Sequence, residues 1–305
     1  MIDVPDWVIL APNMTVAVVG PGAIGTVVAA ALHESGLEPQ LCGRTARESL
    51  ELIAEGDRIV VPGPVQTDPG CVAGRVDLVF LAVKATQIEG AAPWLAALCG
   101  PETIVCVLQN GVEQVSMVKP LANGAQVLPA VVWFPAVAQP DGAVWLRAPA
   151  QLTLPDVDAA RRVADVLRGT RCSVELSADF ASVAWRKLLQ NAAAGLMALT
   201  GRRSGVFRRT DIAGLCLTYL RECLAVARAE GALLGDDVPE QILSKFQSSP
   251  EDLGTSILAD REAGRPLEWD VRNGVISRIA RVHGIPTPIS DVVGALLAAA
   301  SDGPG

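Results

Sequence analysis

Histidine and tyrosine are almost missing from this 305-residue chain, which has His33, His283 and the single tyrosine Tyr219. Two distant histidines, with no H-E-x-x-H and no Cys/His ladder, leave no metal-ligand set. A short-chain dehydrogenase needs Y-x-x-x-K, but the residue four places after Tyr219 is Cys223. A lactate-type mechanism needs a histidine acid. His33 falls on the helix after the first glycine turn, and His283 stands beside Gly284 at a helix end, where capping or dipole compensation is its expected part. No G-x-S-x-G elbow occurs, so esterase chemistry has no support. A proton donor would have to be a lysine or a carboxylic acid.

Positive charge is also scarce. Lys plus Arg number 25 against 33 Asp plus Glu, a net charge of −8. That balance excludes nucleic acid as the main partner, because a phosphate backbone demands a cationic face. Aromatic residues make up 4%, too few for a single-strand stacking platform. No apolar run reaches the ~18 residues that span a bilayer. The first thirteen residues carry Asp3 and Asp6 and no basic segment, unlike a secretion signal. The seven cysteines are odd in number and form no C-x-x-C, so they read as reduced, mostly buried thiols. A soluble, cytoplasmic protein free of metal is the expectation.

What is present falls into two textures. Up to about residue 176, short apolar runs (Thr15–Val19, Leu37–Cys42, Asp77–Val83, Thr103–Leu108) alternate with helix-length stretches at Ile24–Ser35, Ala46–Glu55 and Gln87–Leu98. Fully apolar runs suit strands covered on both faces, and the alternation predicts an α/β domain with a Rossmann-like, doubly wound parallel sheet. Further strands are expected near 127–132, 143–146 and 151–154. From Ser177 onward no strand-length β-branched run occurs. Helices are expected over 179–200, 211–231, 239–246, 249–262 and 266–283, with a frayed tail over 301–305. The reading is therefore residues 1–177 as a dinucleotide-binding domain and 178–305 as an all-helical substrate and catalytic domain.

The run V-A-V-V-Gly20-Pro21-Gly22-Ala23-Ile24-Gly25 follows a strand and opens a helix. Gly20 would make the tight turn, Gly22 would admit a pyrophosphate, and Gly25 would allow close helix–strand packing. An NAD site usually carries an acid ~20 residues later, on the ribose 2′-hydroxyl. Here the position holds Gly43-Arg44-Thr45, with Arg47 following and no acid before Glu48. Arg44 is either a solvated surface charge or a fork for a 2′-phosphate, and NADP is favoured over NAD.

Lys187 is the best proton donor. In W-R-Lys187-L-L-Q-Asn191-A-A-A-Gly195 it shares a helical face with Asn191 and Gly195, amid apolar residues at 183, 184, 188, 189 and 192–194. Partial desolvation would lower its pKa toward the range useful to a general acid. A surface lysine snorkelling from an amphipathic helix is the competing reading.

Taken together, the chain resembles the ketopantoate reductases from Val16 to about Ile289. The likeness lies in G20-P-G22-A-I-G25, L-A-V-K84-A-T-Q87, L-Q-N110-G111, W-R-K187-L-L-Q-N191, T-S256-I-L-A-D260 and L-E268-W-D-V-R-N273-G274. The resemblance implies a nucleotide-binding domain followed by a helical domain, and NADPH-dependent reduction of 2-dehydropantoate to pantoate. It implies Lys187 as general acid, and Glu268 pairing with or orienting that lysine. Asn110 would lie near the nicotinamide ribose and the substrate. Asn191 and Ser256 would hold the substrate's polar groups, Ser256 its carboxylate. Arg44 and Lys84, with Gln87 nearby, would take the adenosine end and 2′-phosphate.

One departure stands out. The family commonly has a second asparagine one turn after the first on the lysine helix, where this chain has Gly195. A roomier, less polar pocket is the expectation, open to a different small 2-oxo acid. The arginines of G201-R-R-S-G-V-F-R-R209 read as a solvated loop. A homodimer is compatible with a helical second domain, though no sequence feature decides it.

Overall fold

A computed structural model describes residues 14–303. The segment read above as unlike a secretion signal lies outside the described residues, as do Pro304 and Gly305. The chain forms two units, one of residues 1–109 and 114–178, the other of 110–113 and 179–305.

The first unit is built on a parallel sheet. Strands β1 (Val16–Val19) and β2 (Gln40–Cys42) are joined by helix α1 (Ala23–Glu34). Next come β3 (Ser49–Ala54), β4 (Asp57–Pro62), β5 (Leu78–Leu81), α2 (Ile88–Leu98), β6 (Ile104–Val107), α3 (Gln114–Val118) and β7 (Gln126–Pro129). The order β2-β1-β5-β6-β7 is parallel throughout. Alternate side chains feed two cores. Val16, Val18, Leu78 and Phe80 face the core that contains α1, whereas Ala17, Val19, Val79 and Leu81 meet Trp94, Leu95 and Leu98 of α2. Burial on both faces is why these strands read as unbroken apolar runs.

The expected helix at Ala46–Glu55 is wrong. Residues Ser49–Ala54 form a strand paired antiparallel with β4. Leu50, Leu52 and Ala54 are buried while their neighbours are half-exposed, a period of two. Glu55 and Gly56 both take positive φ (53° and 94°), as a two-residue hairpin turn requires. Good helix formers masked that alternation.

The rest of the unit comprises β8 (Val131–Val132), β9 (Ala136–Ala138), β10 (Val144–Leu146), β11 (Ala150–Pro155), α4 (Asp158–Val166) and β12 (Cys172–Ser177). They complete two small mixed sheets, β4-β3-β10-β9 and β12-β11-β8.

In the second unit every regular element is helical: α5 (Phe180–Thr200), α6 (Thr210–Ala229), α7 (Val238–Ser248), α8 (Ser256–Glu262), a π-helical turn (Asp270–Gly274), α9 (Val275–His283) and α10 (Pro288–Asp302). Asp179 caps α5, accepting from the Ser182 N–H at 3.2 Å. The helix expected over 249–262 begins only at Ser256, and the one expected over 266–283 begins as the π-turn. The tail expected to fray is helical to Asp302. Ser301 Oγ accepts from the Leu267 N–H at 2.9 Å, which ties the tail to the segment carrying Glu268.

All seven cysteines are free thiols, and Cys71 alone among them is exposed. Among the described residues no helix is long and apolar enough to cross a membrane, and no cluster of three or more His, Cys, Asp and Glu could hold a metal. The 201–209 arginines surround a 3₁₀ turn, and three of the four form ion pairs: Arg203 with Glu262, Arg208 with Glu251, Arg209 with Asp211.

Candidate active site

In the first unit, Gly20 to Gly25 lie at the carboxyl end of β1, beside the carboxyl end of β5. Gly20 has φ +87°, and a Cβ on it would stand 2.6 Å from Val83 Cγ1. A Cβ on Gly25 would stand 2.4 Å from the Gly20 carbonyl oxygen. Both positions are closed to any larger residue. Gly22, the N-cap of α1, faces open space. No side chain caps this helix and no acid lies in its first turn. Its N–H groups and positive dipole end thus meet no competing protein anion, and the cradle fits a pyrophosphate.

The end of β2 packs on the same turn. A Cβ on Gly43 would stand 3.0 Å from Pro21 Cδ, and Arg47 Nη1 donates to the Pro21 carbonyl at 3.4 Å. Arg44 is exposed and has no ion-pair partner among the described residues, which suits a ligand phosphate better than a ribose hydroxyl. Lys84 caps the 3₁₀ turn after β5, and Gln87 closes that turn as the N-cap of α2. Both are half-buried.

The other candidates belong to the second unit and form one hydrogen-bonded chain. Arg272 Nη2 donates to Asn191 Oδ1 at 2.8 Å, Asn191 Nδ2 to Asn110 Oδ1 at 3.1 Å, and Asn110 Nδ2 to Glu268 Oε2 at 3.1 Å. At the near end, Arg272 Nη1 donates to Ser256 Oγ at 3.1 Å. The ends settle which way each amide points. Guanidinium can only donate and an ionised carboxylate can only accept, so both carboxamides are locked with oxygen toward Arg272 and nitrogen toward Glu268.

Several local features assemble this chain. Asn191 is buried on α5, one turn beyond Lys187. Asn110 is brought in by Gly111, whose φ is +105° and whose Cβ would stand 3.0 Å from the Val271 carbonyl oxygen. The Asn110-Gly111 pair is therefore a close approach to the π-turn as well as a bend. Glu268 is buried and lies outside the regular elements, just ahead of the π-turn, not in a first helical turn. Arg278 on α9 clamps this region, donating to Glu113 at 2.7 Å and to Asp270 at 2.8 Å.

Lys187 is half-buried. Its ammonium is pulled down to about 8, first by loss of water and then by the positive charges of Arg272 and Lys245. Arg272 is itself lowered by burial, against the pull of Glu268 and Asp260 in the opposite direction.

The roomier pocket expected at Gly195 is not found. A Cβ there would stand 2.6 Å from Asn273 Nδ2 and 3.0 Å from Leu297 Cδ1. Asn273 occupies the space, donating to the Ala192 carbonyl at 3.1 Å and to the Tyr219 hydroxyl at 2.9 Å.

The sequence reading gave no role to Arg272 and none to the π-turn. Its one available signal was a helical pattern through W-D-V-R-N-G with an arginine on the apolar side. π-turns inside helices frequently mark functional positions.

Models of two families match the chain: ketopantoate reductase PanE/ApbA over residues 16–159 and ketopantoate reductase PanE/ApbA C terminal over residues 179–301. A 2-dehydropantoate 2-reductase of Mycobacterium tuberculosis is 58% identical over 291 residues, covering 95% of this chain and 99% of its own. Another, from Caulobacter vibrioides, is 36% identical, covering 94% and 99%. Among solved structures, a dimeric ketopantoate reductase from Staphylococcus aureus superposes with a TM-score of 0.86 at 28% identity, covering 96% of this chain and all of its own. Matched from the first strand of its parallel sheet to the last helix of the second unit, the chain belongs to the ketopantoate reductase family.

Proposed function

We propose that this protein reduces 2-dehydropantoate to pantoate with NADPH, and that Lys187 is its general acid. NADPH, when bound, supplies the hydride. As the carbonyl carbon of the 2-oxo acid takes that hydride, negative charge gathers on the carbonyl oxygen. The Lys187 ammonium stabilises the charge and then gives the oxygen its proton. The observation that carries this assignment is the place of Lys187 on a half-buried face of α5 one turn before the buried Asn191, where loss of water lowers its pKa to about 8. At neutral pH such a lysine is still mostly charged, yet it parts with a proton far more readily than a solvated one.

The remaining roles are those that the resemblance to the ketopantoate reductases implies. Asn110 holds the nicotinamide ribose and the substrate, and Asn191 and Ser256 hold substrate oxygens. Glu268 fixes the direction of both amides and orients Lys187 with the substrate hydroxyls. Gly20, Pro21, Gly22, Ala23, Ile24 and Gly25 cradle the pyrophosphate, while Arg44, Lys84 and Gln87 take the adenosine end and its 2′-phosphate. We place the enzyme in the cytoplasm and infer a homodimer, as in the Staphylococcus aureus relative.

A different 2-oxo acid was suggested by the room expected at Gly195. Asn273 fills that space, so 2-dehydropantoate is the preferred substrate. The test is a panel of 2-oxo acids with NADPH and NADH, followed by cofactor oxidation. 2-Dehydropantoate with NADPH should be fastest. Turnover no better than that of pyruvate-like acids would reject the assignment.

A further inference from the structure

Arg272 is 3% exposed and carries a full positive charge into the second unit. Buried charges are normally paired, because losing water costs several kcal/mol that only an opposite charge or dense hydrogen bonding offsets. Arg272 has no ion-pair partner among the described residues. Its two hydrogen bonds go to neutral groups, Ser256 Oγ and Asn191 Oδ1, and its Nε is buried with no partner at all. The nearby acids act on it through their field, while their short contacts go to other groups, Asp260 to Arg265 at 2.9 Å and Glu268 to the Asn110 amide at 3.1 Å.

The two neutral partners are the residues assigned to substrate oxygens. Because Arg272 donates to the Ser256 oxygen, the hydroxyl proton is turned away from the arginine and is available to an outside acceptor. Ser256 is exposed while the arginine behind it is not. This is a cation set behind a polar relay, attracted by Glu268 and Asp260 but in ion-pair contact with neither.

Resting on the 2-oxo acid reading above, we propose that Arg272 is a positioning and specificity-determining residue. It aims Ser256 and Asn191 at the substrate carboxylate and supplies the charge that selects an acid over a neutral analogue. The ligand it demands is a monoanion, and the carboxylate of a 2-oxo acid completes the pairing that the protein leaves open.

The experiment compares 2-dehydropantoate with its carboxamide, nearly equal in size but neutral, on wild-type enzyme, Arg272→Gln and Arg272→Lys. Wild type should favour the acid in kcat/KM by on the order of 10²-fold, the range expected of a charge-assisted contact. Arg272→Gln should lose most of that preference through a higher KM for the acid, the amide losing clearly less than the acid. Arg272→Lys, which keeps the charge but not the fork, should fall between them.

An equal loss on acid and amide would mark a merely structural role and overturn the proposal, as would no loss on either. Should Arg272→Gln fail to fold, the wild-type preference and its reduction in Arg272→Lys decide. Equal turnover of acid and amide by wild type overturns the proposal outright. Should wild type oxidise no NADPH with either compound, the assigned reaction fails separately. The arginine is then tested by thermal protection: greater protection by the acid than by the amide, reduced in Arg272→Lys, supports it, and equal protection sinks it.

Discussion

The Asn273 carboxamide nitrogen sits 2.6 Å from where a Cβ on Gly195 would stand, so the glycine on α5 and the asparagine of the π-turn fill one space between them. Asn273 is fully buried and is held there by the Ala192 carbonyl and the Tyr219 hydroxyl. An asparagine at position 195 and this placement of Asn273 are mutually exclusive.

Gly195→Ala puts two effects in opposition. Alanine gains up to about 1 kcal/mol of helix propensity. The added methyl would displace a buried amide from two hydrogen bonds, and overpacking of this kind costs about 1–3 kcal/mol. Destabilisation should win, lowering Tm by about 2–4 °C per net kcal/mol in a chain of this size. A thermal melt checks it, and a rise in Tm would mean that Asn273 moves aside freely.

With Lys187 as the proposed general acid, the activity should depend on pH. The ammonium is the acid form, so kcat/KM should hold below about 8 and fall roughly tenfold per pH unit above it. Lys187→Ala should lose on the order of 10²–10⁴ in kcat and lose this alkaline limb while binding NADPH normally. Arg272→Gln removes a like charge facing the lysine and should move the limb to higher pH; Lys245, the other facing cation, remains. Rates across pH 6–10 test all three points.

The same shift has a stability consequence. The folded pKa lies below the ordinary lysine value, so between about 8 and 10.5 the unfolded chain binds more protons, and stability rises with pH in that window. Below it, the charged lysine costs stability in full. Lys187→Met should therefore raise Tm by about 2–4 °C at pH 7, taking the effect as on the order of 1 kcal/mol after allowance for partial exposure. The gain should fade by pH 10.5.

The locked direction of the amide chain can be tested by a double-mutant cycle. In Asn191→Asp, position 191 still accepts from Arg272 but cannot donate to Asn110. Either Asn110 then meets an acceptor at 191, or it turns and presents its oxygen to Glu268. Two facing acceptors should cost about 1–3 kcal/mol, set against what the new carboxylate gains beside Arg272, a gain common to the single and the double variant. Adding Glu268→Gln supplies a donor at the far end, and the pair should be more stable than the single Asn191→Asp variant. Simple additivity of the two changes would argue against a directional chain.

Arg44→Ala should weaken NADPH binding by about tenfold or more, the loss of one charge-assisted contact, and leave NADH nearly unchanged. Equal effects on both would remove Arg44 from the 2′-phosphate.

The glycine turn was legible because its requirement is local. Gly20 needs positive φ, and Gly25 needs contact with the Gly20 carbonyl five residues away. The half-buried place of Lys187 was legible because 3.6-residue periodicity gave it apolar neighbours. The hairpin at Ser49–Pro62 was misread because a run of Leu, Glu and Ala favours helix until pairing imposes a period of two. Arg272 went unassigned because its one local mark, a place on the apolar side of a helical pattern, does not say which groups it meets.

The sequence by itself determined the sheet-forming runs, the phosphate turn, the amine-bearing helix and the change from mixed to helical texture, all set by contacts a few residues apart. Tertiary structure decided what stands 78 and more residues away. It placed Asn273 against Gly195, Arg272 against Asn191 and Asn110 against Glu268. Partners so distant in sequence are chosen by which buried donor finds which buried acceptor once α5, the π-turn and residues 110–113 have packed, and no local preference encodes that choice.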